Sequence, residues 1–85
     1  MKEFTYVIKD ALGLHARPAG MLVKAVAGYS CSVTLTTATG KADAKRIMAV
    51  MRLAAKQGRE LTVTCDGADE EKAAQELKAF MEANL

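Results

Sequence analysis

Glu60-Leu61-Thr62-Val63-Thr64-Cys65-Asp66-Gly67-Ala68-Asp69-Glu70-Glu71 reads as a strand, a turn and the start of a helix in unbroken succession. Leu61, Val63 and Cys65 alternate with Thr62 and Thr64, so over residues 60–65 one face is apolar and the other polar. Asp66-Gly67 is turn chemistry. Asp69 is a predicted N-cap, and Glu70 and Glu71 follow where the helix dipole favours acids. Ala74, Leu77 and Met81, with Phe80 beside them, then carry one apolar stripe to the end of the chain. A half-wet strand feeding an amphipathic helix fits an antiparallel sheet with helices on one side only.

The same alternation of periods extends towards the N-terminus. Ile47, Val50, Met51 and Ala54 repeat at helical spacing from about residue 44, with a stop predicted near Gln57-Gly58. Residues 31–37 alternate, with Cys31, Val33 and Leu35 against Ser32, Thr34 and Thr36. Thr39-Gly40 marks a turn into a short second strand. Ala19, Leu22, Val23 and Val26 form a helix face, with Gly28 as its predicted C-terminal cap. Residues 3–9 place Phe4, Tyr6 and Ile8 opposite Thr5 and Val7, and Asp10-Ala11-Leu12-Gly13 breaks that strand. The element order is β-α-β-β-α-β-α, an α+β chain whose strand order the pattern leaves open.

With 85 residues the chain is expected to be one domain, 1–85, with a modest core. A hydrophobic content of 51% argues against disorder, and a net charge of +2 is too small to point to nucleic acid. No run is apolar for long enough to span a membrane, and Met1-Lys2-Glu3-Phe4 does not open a signal peptide. A cytoplasmic location is expected. Cys31 and Cys65 are too few for a zinc site. They are expected to be packed and reduced, although a disulfide between them stays open.

Gly13-Leu14-His15-Ala16-Arg17-Pro18-Ala19 is the segment with chemistry in it. His15 is the only histidine and stands where the first helix begins. Pro18 is tolerated there because first-turn amides lack partners within the helix. Those amides and the positive end of the dipole attract an anion, and Arg17 adds a planar cation suited to phosphate oxygens. A neutral imidazole is a nucleophile near neutral pH. No triad partner or second histidine accompanies it. The residues therefore reach an anion site with a nucleophile and go no further, since a lone histidine at a helix start also serves as a solvated or capping side chain.

This segment resembles the active-site signature of the HPr family, the histidine-containing phosphocarriers of the bacterial phosphoenolpyruvate:sugar phosphotransferase system. The likeness continues through Gly40-Lys41, Lys45 to Leu53, Gly58, the strand at 60–65 and Gly67-Ala68-Asp69-Glu70. The resemblance implies an open-faced β-sandwich: a four-stranded antiparallel sheet in the order 1-4-2-3 with three helices on one face. It implies phosphorylation of His15 at Nδ1 by phospho-enzyme I and donation to the IIA domain of a sugar permease. Arg17 and the amides of Ala16 and Arg17 would hold the phosphate. No cofactor or metal is implied, and the protein would be a monomeric co-substrate more than an enzyme.

Partner docking calls for an apolar patch beside His15 ringed by cations. The candidates are Leu14, Met21, Ile47, Met48 and Met51, with Lys24, Lys45, Arg46 and Arg52 around them. Helical spacing predicts Ile47 and Met51 to be partly in the core and Met48 to be exposed. One position departs from the pattern. Many family members carry a regulatory serine where this chain has Arg46, which has no hydroxyl to phosphorylate and cannot act as an N-cap. Asp43 is expected to cap that helix earlier, and the carrier is expected to escape serine-based control. The alternatives are a paralogue in a nitrogen-related or regulatory phosphotransfer chain, a regulatory binding module without transfer, and, against the weak charge, a nucleic-acid binder.

Overall fold

The structure is a computed structural model that describes residues 1–38, 40–53 and 56–85. Its elements are β1 (Lys2–Val7), α1 (Ala16–Val26), β2 (Ser32–Thr37), β3 (Gly40–Asp43), α2 (Ile47–Arg52), β4 (Glu60–Asp66) and α3 (Glu70–Asn84). The four strands form one antiparallel sheet in the order β1-β4-β2-β3. β4 lies at its centre, pairing Val63 with Phe4 on one side and with Leu35 on the other.

The alternation read from the sequence sorts the two faces. Val33, Leu35, Leu61, Val63 and Cys65 are buried under the helices, while Thr34, Thr36, Thr62 and Thr64 turn to the open face. Ala19, Leu22 and Val26 of α1 and Ala73, Leu77 and Met81 of α3 close the core from above. Each large apolar side chain buried this way contributes about 1.5–3 kcal/mol. Both cysteines are free and buried, and burial is the main cause that pushes the Cys31 thiol up to about 11.

Several local expectations need correction. Gly28 does not cap α1 in a left-handed turn. The helix ends on Ala27 at φ −59°, and the amides of Gly28 and Tyr29 continue with tight bonds to the carbonyls of Ala25 and Val26. α2 starts later than residue 44, because Asp43 Oδ1 accepts the Lys45 N–H at 2.9 Å and Arg46 stays extended. That helix has six residues, too few to seat a full stripe. Val50 is buried, but Ile47 is 40% and Met51 39% exposed, so neither is a core residue. Ala73, rather than Ala74, takes the buried position in α3. The predictions for Thr39 and Ala54 fall outside the described residues.

Candidate functional site

The approach to His15 is built from short turns. Gly13 takes φ +68°, a conformation that glycine adopts without the cost of a Cβ, and its carbonyl accepts the His15 N–H at 3.0 Å. Leu14 then drops into the core at 4% exposure, which anchors the residue next to the histidine. His15 is half-buried in the extended N-cap position of α1, with no side-chain capping bond.

The helix beyond is open to an anion. Its first backbone bond runs from the Ala19 N–H to the His15 carbonyl at 3.0 Å, so the amides of Ala16 and Arg17 precede the internal ladder. No acidic residue occupies the first turn. Pro18, buried, fills the position where an amide would be superfluous. Arg17 is exposed and, among the described residues, makes no salt bridge. Asp10, His15, Arg17, Pro18, Met21, Ala83 and Asn84 line one shallow cleft of about 280 Å³. Among the described residues, no group of histidine, cysteine or carboxylate side chains could hold a metal ion.

The expected docking residues divide. Met21, Ile47, Met48 and Met51 are exposed, at 64% for Met48, and Lys24, Lys45, Arg46 and Arg52 are exposed as well. Ile47 reaches α1, with its Cδ1 3.7 Å from where a Cβ on Gly20 would stand, so the two helices touch there. Lys45 Nζ donates to the Tyr29 carbonyl at 3.1 Å. Leu14 is a correction: a side chain needed to anchor the turn cannot also face a partner. The exposed leucine of this loop is Leu12, at 74%. Sequence reasoning missed three residues of the cleft lining, namely Asp10, Ala83 and Asn84. An Asp and a Gly three residues apart is a turn signature that pointed to Asp10. Asn84 joins the cleft only through the tertiary fold.

The family model for the PTS HPr component phosphorylation site matches residues 2–83. The phosphocarrier protein HPr of Mycoplasma capricolum is 40% identical over 81 residues, which cover 95% of this chain and 91% of the relative. The crystal structure of HPr-C-His from Thermoanaerobacter tengcongensis superposes with a TM-score of 0.92 at 37% identity, covering 98% of this chain and 93% of the other. A crystal structure of an HPr dimer from the same organism superposes at 0.77 with 37% identity, covering 98% and 95%. The chain belongs to the HPr family of phosphotransferase-system phosphocarriers.

Proposed function

We propose that this protein accepts a phosphoryl group from phospho-enzyme I on His15 Nδ1 and donates it to the IIA domains of sugar permeases in the cytoplasm. The observation that carries the reading is the half-buried imidazole at the start of α1, in one cleft with Arg17, which makes no salt bridge among the described residues, and next to the amides of Ala16 and Arg17. In the transfer, the ring nitrogen's lone pair forms the new N–P bond as the donor's N–P bond breaks. The guanidinium and the two amides take the phosphoryl oxygens, whose charge they offset.

Phosphate loss must stay slow in water yet fast to a partner, and a shallow cleft leaves the fast route to the partner. The partner completes the catalytic surroundings, docking on Met21, Ile47, Met48 and Met51 within the cationic ring of Lys24, Lys45, Arg46 and Arg52. The protein is then a co-substrate, and the whole chain acts as one carrier unit. It works as a monomer, because pairing through that apolar face would hide it from partners. Arg46 at the N-cap of α2 offers no hydroxyl, so a kinase directed at serine has no acceptor there.

Enzyme I and labelled phosphoenolpyruvate test the reading. Acid-labile, base-stable label is expected on the wild-type chain, eluting at the mass of one chain, and none on His15→Ala. Arg17→Ala is expected to keep the fold and slow transfer. Label that persists on His15→Ala defeats the assignment.

A further inference from the structure

The turn that delivers His15 depends on a residue that the transfer chemistry does not use. Asp10 uses three groups to hold it. Its N–H donates to the Leu85 main-chain oxygen at 2.7 Å, its carbonyl accepts the Gly13 N–H at 3.0 Å, and its Oδ1 accepts the Leu12 N–H at 2.8 Å. Beside it, the Lys9 N–H donates to the same Leu85 oxygen at 2.6 Å, and Gln57 Nε2 donates to the Lys9 carbonyl at 3.0 Å. One end of the turn is therefore clamped to the end of α3 and to the 56–58 loop. At the other end, the Gly13 carbonyl receives the His15 N–H.

Among these bonds, only the one from Leu12 to the Asp10 carboxylate depends on the identity of a side chain within the turn itself. The others are backbone bonds, apart from the remote Gln57 amide. Leu12 is largely exposed and has little packing of its own to hold it. Without the carboxylate, the turn between the Leu85 clamp and His15 loses its one side-chain brace and is left with the backbone bond from the Gly13 N–H to the Asp10 carbonyl and the tethers at its ends.

We infer that Asp10 is a positioning residue for phosphoryl transfer, bracing the 10–13 turn through its carboxylate so that the His15 ring is held in line at the mouth of α1. This rests on the reading of His15 as the phosphoryl acceptor. The requirement is for a hydrogen-bond acceptor and not for charge, because the group receives a backbone N–H. Reacting atoms tolerate little misplacement, and a shift on the order of 1 Å can cost ~100-fold in rate. A turn that keeps its backbone tethers loses less.

Single-turnover transfer from phospho-enzyme I to Asp10→Ala and Asp10→Asn distinguishes the cases, with the wild type run alongside. Asp10→Ala is expected to transfer about tenfold more slowly, at an unchanged half-saturating concentration and with unchanged far-ultraviolet circular dichroism. Its His15 ring signals in nuclear magnetic resonance spectra are expected to broaden or split. Asp10→Asn, whose Oδ1 still accepts the Leu12 N–H, is expected to recover at least half of the wild-type rate and the single ring signal. An Asp10→Ala rate equal to wild type overturns the inference, as does an Asp10→Asn as slow as Asp10→Ala. Failure of the wild type to take up label overturns the His15 reading instead, so the two failures are separable.

Discussion

The molecule has two long helices whose N-termini are treated in opposite ways. α3 begins with Asp69 at its N-cap and with Glu70 and Glu71 in its first turn, whereas α1 begins with His15 and has no acid there. At α3 the carboxylates are already committed. Asp69 accepts the Ser30 and Cys31 amides at 2.8 Å each, so this N-cap residue pins the loop after α1 and does not cap its own helix, while Glu70 Oε1 accepts the Gly67 N–H at 3.2 Å. The cleft at this end, about 670 Å³ and lined by Asp69, Glu70, Glu71 and Glu76, is larger than the one at His15. Size therefore is not what distinguishes the proposed anion site. A positive helix end already balanced by acids repels phosphate, and one left bare attracts it. One helix start is filled with acids, and the other is left bare, as the proposed phosphoryl site at His15 requires.

The sharpest way to break this contrast is to copy the α3 arrangement onto α1. Ala16 is the first helical residue of α1, as Glu70 is of α3. Ala16→Glu is expected to lower phosphoryl transfer by about 10²-fold or more, the scale seen when one preorganised oxyanion donor is lost. The same change is expected to raise stability by about 0.3–1 kcal/mol through the dipole. Ala16→Gln, without the charge, should fall far less. Thermal melts and single-turnover rates measured together check the opposition, and wild-type transfer by Ala16→Glu would dissolve it.

A change at the other end should do the reverse. Gly67 sits at φ +153°, and a Cβ there would stand 2.7 Å from the Cys31 Cα and 2.8 Å from its Cβ. Backbone cannot yield as a flexible side-chain tip can. Gly67→Ala is expected to cost about 1–3 kcal/mol, each kcal/mol lowering the melting temperature by about 4–8 °C for a domain of this size. Transfer below the melting transition should stay near that of wild type. A variant as stable as wild type would show that the close approach to Cys31 is slack.

Much of this division was legible in the sequence. The strand and helix periods placed six of the seven elements, because the longer strands alternate and each long helix has one buried stripe, and the turn signal before Gly40 pointed to the short β3. The bare start of α1 and the acidic start of α3 could be read from residue types alone. What the sequence hid was where side chains go once a turn intervenes. Leu14 and Leu12 are both apolar and lie two residues apart, yet the turn closed by Gly13 sends one inward and leaves the other in solvent. Ile47 and Met51 fit a helical stripe, but α2 is too short and too peripheral to bury it. Asp69 reads as a cap for α3, and only the return of the chain after α1 brings it competing amides.

The smallest expected effect concerns acid, and its sign follows from those carboxylates. The Ser30 amide, with Cys31 beside it, holds the Asp69 carboxyl below its ordinary value, and the Met1 ammonium and then the Gly67 amide do the same for Glu70. A carboxyl whose folded value is depressed binds its proton more weakly in the native state than in the unfolded chain. Its contribution to stability is thus complete above the unfolded value, about 4, and is lost as the pH falls through the folded value. The melting temperature should therefore hold from neutral pH to about 5 and decline below it. Asp69→Asn should melt lower than wild type at neutral pH, and the gap should close in acid, where the wild-type carboxyl is itself uncharged. Since α1 has no such carboxylate in its first turn, Ala16→Glu should acquire an acid dependence of the same sign that wild-type α1 lacks. A gap between wild type and Asp69→Asn that persists unchanged at low pH would mean that Asp69 acts through shape and not charge. The contrast between the two helix starts would then rest on the chemistry of α1 alone.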